Sequence, residues 1–318
     1  MTTSPDEPQM RAISQDVLGG PEVLHEVTLE RPVPGFSQIL VAVHASAVNP
    51  TDWKHRSHRH FLPDPPFVLG FDVSGVVEAV GFGVTLFKPG DEVFGMLPYP
   101  RGHGAHAEYV TGPARAFVAK PAALSHVEAA ALPLSGLTAW QALVDTAEIQ
   151  PGQRLLVHAA AGGVGHLAVQ IGKARGAYVI GTASAPNHDF VRGLGADEVV
   201  DYRTTDVYGA VRDVDVVLDP LGGESPLRSL ECLRPGGILI SLLGGSPELA
   251  ERAAATGVRA ALMLVEADHG GMAGVAGLVD AGKLRPTIAG AFPLAEAAKA
   301  HALGETGHTA GKLVLVVR

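Results

Sequence analysis

The chain has 318 residues, which exceeds one typical domain and predicts two compact units. It carries 24 Lys and Arg against 33 Asp and Glu, and this net charge of −9 argues against a protein that binds nucleic acid through clustered positive charge. Hydrophobic residues make up 47% of the chain, enough for a large core, and the single cysteine, Cys232, excludes an intramolecular disulfide and every thiolate-rich zinc site.

The sequence contains no recognisable targeting or membrane segment. Residues 1–9 are polar and acidic and lack the apolar stretch of a secretion signal. The longest apolar stretch, residues 129–144, is interrupted by Pro133 and Gly136 and is shorter than the roughly 20 residues of a spanning helix. We therefore expect a soluble, cytoplasmic protein that associates with neither membranes nor nucleic acid.

The first third of the chain is predicted to form short strands. Residues 39–45 and 73–80 are runs of β-favouring apolar residues, and a Lys-Pro-Gly-Asp turn at residues 88–91 precedes a third run. Short, closely spaced strands separated by Gly and Pro turns indicate a small β-barrel.

The middle third alternates between apolar strand-like runs and helical patterns. Near-continuous apolar strands that alternate with helices predict a parallel sheet covered by helices on both faces, which is an α/β fold. The strands are predicted at residues 154–159, 178–183, 198–202, 214–219 and 237–243, and the helices at residues 164–175, 189–194 and 227–233.

The end of the chain departs from this alternation. A helix is predicted at residues 294–303 and a terminal strand at residues 312–317, directly after Gly311. We expect this segment to return to the first domain, which makes that domain discontinuous.

The most specific motif follows the first strand of the middle third. Residues 155–165 read Leu-Leu-Val-His-Ala-Ala-Ala-Gly-Gly-Val-Gly, a G-x-G-x-x-G turn with alanine in the first glycine position. Gly162 lets the backbone approach a pyrophosphate, and Gly165 lets the following helix pack on its strand. Tight packing without a ligand is the alternative interpretation. The predicted pyrophosphate-binding residues are Ala160, Gly162, Gly163 and Val164.

The end of the second strand indicates which dinucleotide is bound. NAD sites usually place an acid there to accept the ribose hydroxyl, whereas residues 181–187 contain none. We therefore predict NADPH, with Ser184, Asn187 and Tyr202 hydrogen-bonded to the 2′-phosphate. For Asn187 the alternative is that it caps the helix that begins near Asp189.

Further motifs occur in a fixed order along the chain. They are Gly-Gly-Pro-Glu-Val-Leu at residues 19–24, Val-Asn-Pro-Thr-Asp-Trp-Lys at 48–54, Leu-Gly-Phe-Asp-Val-Ser-Gly at 69–75, Ala-Leu-Pro-Leu-Ser-Gly-Leu-Thr-Ala-Trp at 131–140 and Leu-Gly-Ala-Asp at 194–197. Together with the glycine turn, they resemble the zinc-free quinone oxidoreductase (ζ-crystallin-like) branch of the medium-chain dehydrogenase/reductase superfamily. The resemblance covers residues 10–318.

This resemblance implies a specific architecture. A discontinuous GroES-like β-barrel catalytic domain is expected at residues 10–133 and 271–318. A Rossmann NADP-binding domain, with a doubly wound parallel sheet, is expected at residues 134–270. The resemblance also implies an active site in the cleft between the domains and a homodimer formed through Rossmann sheet edges near residues 237–243.

The resemblance also bears on zinc. Zinc-dependent relatives carry a cysteine near the position of Asn49 and Gly-His-Glu where this chain has Gly-Phe-Asp at residues 70–72, and many hold a four-cysteine lobe near residues 95–110. With Cys232 as the single cysteine, neither site is expected. We also expect no metal on the histidines, which are His55, His58, His60, His103 and His106.

Without zinc as a Lewis acid, the accessible chemistry is hydride delivery to an acceptor that is already electrophilic. By resemblance, Asn49 and Thr138 lie beside the nicotinamide and the substrate. Asp52 and Lys54 follow on the same loop, and Lys54 either donates to a developing enolate oxygen or pairs with Asp52 at the surface. The predicted catalytic residues are therefore Asn49, Asp52, Lys54 and Thr138; Asn49 and Thr138 are also assigned to cofactor binding, together with the strand-end residues Leu243 and Gly244.

The combined prediction is a zinc-independent oxidoreductase that transfers hydride from NADPH to a quinone or an α,β-unsaturated carbonyl compound. An enoyl-thioester reductase of a biosynthetic pathway uses the same hydride geometry and is one alternative. A non-enzymatic NADPH-binding protein with a structural or regulatory role is the other.

Overall fold

The computed structural model describes residues 8–59 and 61–318, and its contacts divide these residues into two compact units. The barrel unit comprises the described residues of Met1–Leu134 with Glu266–Ala276 and Pro286–Arg318. The parallel-sheet unit comprises Ser135–Val265 and Gly277–Arg285. The barrel unit is therefore assembled from segments far apart in sequence. The exact domain bounds expected from the resemblance stay a prediction.

The secondary structure follows the chain in this order. The strands are β1 (Gln9–Gln15), β2 (His25–Glu30), β3 (Gln38–Val48), β4 (Phe67–Val68), β5 (Asp72–Val80), β6 (Glu92–Met96), β7 (Tyr109–Pro113), β8 (Phe117–Ala119), β9 (Arg154–Val157), β10 (Tyr178–Ala183), β11 (Glu198–Asp201), β12 (Val214–Asp219), β13 (Leu233–Ser241), β14 (Arg259–Leu262), β15 (Ile288–Pro293) and β16 (Lys312–Val316). The α-helices are α1 (Pro50–Ser57), α2 (His126–Ala130), α3 (Pro133–Trp140), α4 (Gly165–Ala174), α5 (His188–Gly193), α6 (Val207–Ala210), α7 (Ser225–Ser229), α8 (Pro247–Thr256), α9 (His269–Asp280) and α10 (Ala297–Glu305).

The barrel unit is organised around β3. Within the described residues its larger sheet runs β15-β16-β3-β5-β6-β8, with β7 also paired to β3, and a smaller sheet runs β2-β1-β4. Because β3 pairs with β5, β7 and β16, nine of its eleven residues are buried, and its sequence is apolar except at Gln38, His44 and Ser46. The terminal strand β16 pairs with β3, so the end of the chain completes this unit.

The parallel-sheet unit is a doubly wound α/β fold. Among the described residues its strands run in the order β11-β10-β9-β12-β13-β14, and every neighbouring pair is parallel. All six residues of β12 are buried, as expected for a strand covered on both faces. The strand order reverses between β9 and β12, and ligands of such sheets bind beyond the strand ends at this point.

The predicted fold class is confirmed, and two strands, β10 and β12, have the predicted bounds. Several elements were missed, among them α8 and β14. The signals for α8 were present in the sequence: Ser246 caps its first turn, Pro247 follows at the first helical position, and Gly257 ends it in the left-handed conformation.

The expected dimer edge near residues 237–243 is wrong. These residues lie mostly in β13, which is hydrogen-bonded to β12 on one side and to β14 on the other. Because both sides of β13 are used, its backbone groups are not free to pair with a second chain. In the described part of the chain the edges of this sheet are β11 and β14.

Candidate cofactor and active site

Two glycines with little space around them shape the turn between β9 and α4. A side chain on Gly165 would place its Cβ 2.2 Å from the carbonyl oxygen of Ala159 and 2.8 Å from the Cα of Ala160. A side chain on Gly181, in β10, would lie 2.8 Å from the Cβ of Ala160. Only glycine fits at residue 165, and alanine at residue 160 fits because β10 has glycine opposite it.

This turn offers unpaired donors where α4 begins. Within the described residues, the N–H groups of Gly163, Val164 and Gly165 find no acceptor. The first N–H groups of a helix lack intrahelical partners, and the positive end of the helix dipole lies at the same place. The turn therefore fits a pyrophosphate, and Gly162, whose Cβ would meet only the carbonyl oxygen of Ala159 at 3.2 Å, leaves the approach open.

A buried polar network holds the loops that follow β9, β10 and β12. Nε2 of His158 lies 3.0 Å from the hydroxyl of Ser229, and the Asp219 carboxylate accepts a hydrogen bond from the Ser225 hydroxyl at 2.5 Å. The same carboxylate accepts the N–H of Leu221 at 2.8 Å, and Thr182 Oγ1 accepts the N–H of Ala159 at 3.1 Å. These bonds fix the backbone around the predicted cofactor turn.

The residues predicted to bind the 2′-phosphate follow the carboxyl ends of β10 and β11. Ser184 follows β10, and Tyr202 follows Asp201, which pairs with Ala183 at the end of β10. Asn187 occupies the N-cap position of α5, yet its side chain makes no capping hydrogen bond. The structure therefore does not support capping as the role of Asn187.

Leu243 and Gly244 follow β13 in the loop next to that of β12. A side chain on Gly222 would lie 2.9 Å from the Cβ of Leu243, so the two loops touch. Gly244 has φ +105°, which an L side chain rarely adopts, and the space where its Cβ would be is open. The hydroxyl of Ser241 donates to the carbonyl of Gly244 at 2.7 Å and holds this loop.

In the barrel unit, Asn49 lies in a closed ring of hydrogen bonds and charges. Its Nδ2 donates to Oδ2 of Asp72 at 2.8 Å, its Oδ1 accepts from Nζ of Lys312, and Nζ lies 3.8 Å from the same Asp72 oxygen. Asn49 and Asp72 are fully buried and Lys312 is 3% exposed. The ring orients the Asn49 amide, because the opposite orientation would point its NH₂ at an ammonium and its oxygen at a carboxylate.

Sequence reasoning did not single out Lys312. The antiparallel register pairs Leu313 with Val48, so Lys312 lies directly across from Asn49. The preceding residue must be glycine, because Gly311 has φ +91° and its Cβ would lie 2.3 Å from the carbonyl oxygen of Thr287. A lysine at the start of a buried apolar strand was the available signal, since a buried ammonium requires a carboxylate partner.

Asp52 accepts hydrogen bonds from backbone N–H groups near this ring. Its carboxylate accepts the N–H of Asn49 at 2.7 Å and that of Gly70 at 3.1 Å, and the residue is fully buried. Burial raises the pKa of Asp52 to about 7, against the opposing effect of these hydrogen bonds. Asp52 therefore anchors the start of α1 rather than facing solvent.

The same burial acts on the two charged members of the ring. It raises the pKa of Asp72 above its usual value, an effect that the nearby Lys312 ammonium opposes. It lowers the pKa of Lys312, and Asp72 opposes that change in turn. Each charge is therefore tolerated because the other is present.

Lys54 and Thr138 complete the predicted set. Lys54 is half-buried on α1 and, among the described residues, forms no ion pair, so the pairing with Asp52 considered above is absent. Thr138 is 6% exposed, lies on α3 and belongs to the parallel-sheet unit. The catalytic and cofactor roles of these residues stay predictions.

In the described part of the chain, neither the cysteine nor a cluster of acids and histidines is positioned as a metal site. Cys232 is buried in the core of the parallel-sheet unit, and burial raises the pKa of its thiol to about 11. Across residues 8–59 and 61–318, no group of three or more His, Cys, Asp and Glu side chains is positioned to hold a metal ion.

Comparison with known proteins shows which family this chain belongs to. The alcohol dehydrogenase GroES-like domain model matches residues 35–122, and the zinc-binding dehydrogenase model matches residues 194–315. The chain is 33% identical to the mitochondrial NAD(P)H oxidoreductase RTN4IP1 of Mus musculus, with 99% of this chain and 91% of the relative covered. The chain belongs to the quinone oxidoreductase family of medium-chain dehydrogenase/reductases. It is an oxidoreductase that uses a nicotinamide cofactor and a small-molecule substrate.

Other family members are similar over nearly their whole length. The 2-haloacrylate reductase of a Burkholderia species is 36% identical, with 94% of this chain and 96% of the relative covered. The chloroplast envelope quinone oxidoreductase homolog of Arabidopsis thaliana is 34% identical, with 93% and 95% covered. The structure of the Coxiella burnetii quinone oxidoreductase superimposes with a TM-score of 0.92 at 38% identity, covering 98% of this chain and all of the other. The Escherichia coli quinone oxidoreductase, complexed with NADPH, superimposes with a TM-score of 0.85 at 29% identity, covering 96% and 100%.

The family comparison contradicts the expected cytoplasmic location. The names of the mouse and Arabidopsis family members assign them to the mitochondrion and the chloroplast envelope. No helix in the described ranges is long and apolar enough to span a membrane. The prediction failed because overall charge and hydropathy do not encode a cellular location.

Proposed function

We propose that this oxidoreductase transfers hydride from NADPH to a quinone or an α,β-unsaturated carbonyl compound without zinc. The observation that carries the proposal is the cation held between Asn49 and Asp72, which is the ammonium of Lys312. Zinc-dependent relatives carry a cysteine near the position of Asn49 and a histidine where this chain has Phe71. Here the amide and the carboxylate are already satisfied by a lysine, whose charge would repel a second cation.

This arrangement limits the substrates. In this superfamily, oxidation of an alcohol relies on zinc as a Lewis acid to stabilise the alkoxide, and the Asn49 site supplies none of the thiolate or imidazole ligands that hold such a metal. Enones, enals and quinones accept hydride without one. NADPH supplies the hydride when bound. The residues of this chain bind and orient it, and donors near the acceptor carbonyl lower the barrier.

An acceptor panel tests the proposal. Purified protein is mixed with NADPH and, separately, with a quinone, an enone, an enal, a crotonyl thioester and a primary alcohol with NADP⁺, and the cofactor absorbance is followed. We expect turnover with quinones or enones that survives treatment with a chelator. Turnover with the alcohol that the chelator abolishes would contradict it, and preferred use of the thioester would favour an enoyl-thioester reductase instead.

The proposed preference for NADPH makes a separate prediction at the end of β10. Ser184→Asp places a carboxylate where the 2′-phosphate is expected, so NADPH affinity is expected to fall at least about tenfold while NADH affinity does not fall. Ser184→Ala is the matched control, because it removes a hydroxyl without adding charge. Fluorescence titration of both reduced cofactors measures the effect. Tighter binding of NADH by the unmodified protein would overturn the preference.

A further inference from the structure

An aromatic cluster with one hydroxyl lies beside the Asn49 ring in the barrel unit. The ring of Tyr99 packs against that of Phe71 at a centroid distance of 5.1 Å and against that of Phe61 at 5.9 Å. Phe71 directly precedes Asp72, whose carboxylate holds the Asn49 amide. Tyr99 is half-buried and Phe61 is 42% exposed, so the cluster reaches the surface of the unit.

The hydroxyl of Tyr99 ends a chain of hydrogen bonds that starts on α1. Oγ1 of Thr51 donates to Oη of Tyr99 at 3.2 Å and lies 3.2 Å from Nδ1 of His55. A threonine hydroxyl has one hydrogen, and here Tyr99 receives it. His55 must therefore donate from Nδ1 to Thr51, and this sets the direction of the whole chain.

In this series of hydrogen bonds, Tyr99 acts as an acceptor, and its own hydroxyl hydrogen is not used. Its oxygen already accepts from Thr51, and in the part of the chain that the structure describes its own hydrogen has no acceptor. Burial raises the pKa of the Tyr99 phenol above its usual value, so the phenol keeps its proton at neutral pH. Thr51 lies two residues after Asn49, so Tyr99 is hydrogen-bonded to the segment that carries this predicted site residue.

We propose that Tyr99 is the general acid that protonates the α-carbon of the substrate during reduction of an α,β-unsaturated carbonyl compound. This rests on the proposed function. After hydride reaches the β-carbon, the electron pair of the enolate takes the proton: the O–H bond of Tyr99 breaks and a C–H bond forms at the α-carbon. The phenolate that remains accepts the Thr51 hydrogen bond and regains a proton from solvent, because Tyr99 is half-buried.

The stereochemistry of this protonation is the decisive readout. The unmodified protein and Tyr99→Phe are compared on 2-methylcyclohex-2-enone, whose α-carbon becomes a stereocentre, and on 9,10-phenanthrenequinone, which is protonated on oxygen. We expect Tyr99→Phe to lower kcat for the enone by about 100-fold and to give racemic ketone. The loss with the quinone is expected to be at least about tenfold smaller, because oxygen exchanges protons with water without a positioned acid.

Two further variants separate chemistry from packing. Thr51→Val keeps the shape of Thr51 but removes its hydroxyl, and it is expected to lower kcat for the enone less than Tyr99→Phe does. Phe61→Leu disturbs the same aromatic cluster without touching the hydroxyl, and its product is expected to keep one configuration. Melting temperatures verify that each variant is folded.

The outcomes are distinct. Tyr99→Phe that yields a single enantiomer at an undiminished rate would overturn the role of Tyr99 while leaving enone reduction intact. Racemic product from the unmodified protein would do the same. Failure of the unmodified protein on both acceptors would overturn the proposed function and the role of Tyr99 with it.

Discussion

Gly165→Ala is expected to abolish dinucleotide binding and to lower the free energy of unfolding by about 3 kcal/mol. The added Cβ would lie 2.2 Å from the carbonyl oxygen of Ala159, a backbone atom that cannot move aside as a flexible side chain can. The first turn of α4 must therefore shift away from β9. That shift displaces the N–H donors of Gly163 and Val164, which are predicted to bind the pyrophosphate.

Urea unfolding and fluorescence titration with NADPH measure the two effects separately. Gly193→Ala, at the end of α5, is the matched control in the same unit, since nothing lies within 4 Å of its added Cβ. We expect that control to be neutral or stabilising by about 0.5–1 kcal/mol, because alanine restricts the unfolded chain. Normal NADPH affinity in Gly165→Ala would show that the turn is not the phosphate site.

Lys312→Met is expected to cost about 3–5 kcal/mol of the free energy of unfolding, because it leaves the Asp72 carboxylate buried without its cation. The loss should depend on pH in a definite direction. Without Lys312 the pKa of Asp72 rises further above its value in the unfolded chain, so the folded state holds a proton that the unfolded state releases. The variant is therefore expected to lose stability as the pH rises, and to be less stable at pH 8 than at pH 5.

A charge-balanced variant provides the control. Lys312→Met with Asp72→Asn removes both charges, so most of the stability is expected to return and the pH dependence to weaken. The Asn49 amide is no longer oriented in this double variant, because neither a cation nor an anion faces it. We expect turnover to stay low despite the restored stability. A double variant as unstable as Lys312→Met would contradict the pairing of Lys312 with Asp72.

Much of the parallel-sheet unit was predictable, since its signals are local. Strand β12 is a continuous run of buried residues, and the glycine turn is confined to eleven consecutive residues. Hydrophobic period and turn chemistry can be read from such short windows. The elements α8 and β14 were missed in this unit because the predicted alternation of strands and helices ended at residue 243.

The candidate site of the barrel unit was predictable only in part. Asn49 and Asp52 were identified through a motif, but Lys312 lies 263 residues from Asn49. Their contact depends on the register of β16 against β3, which pairs Leu313 with Val48. Tyr99 and Thr51 are likewise 48 residues apart, and no sequence window contains both.

The amino-acid sequence by itself determined the α/β fold class, the glycine turn between β9 and α4 and the lack of cysteine ligands, because each depends on residue type or on neighbours in the chain. The tertiary structure alone decided which charges meet. Strand pairing carries Lys312 to the Asn49 amide, and folding packs the ring of Tyr99 against Phe71, the residue that precedes Asp72. The orientation of the Asn49 amide and the hydrogen bond between Thr51 and Tyr99 depend on residues that are distant in sequence and that folding brings together.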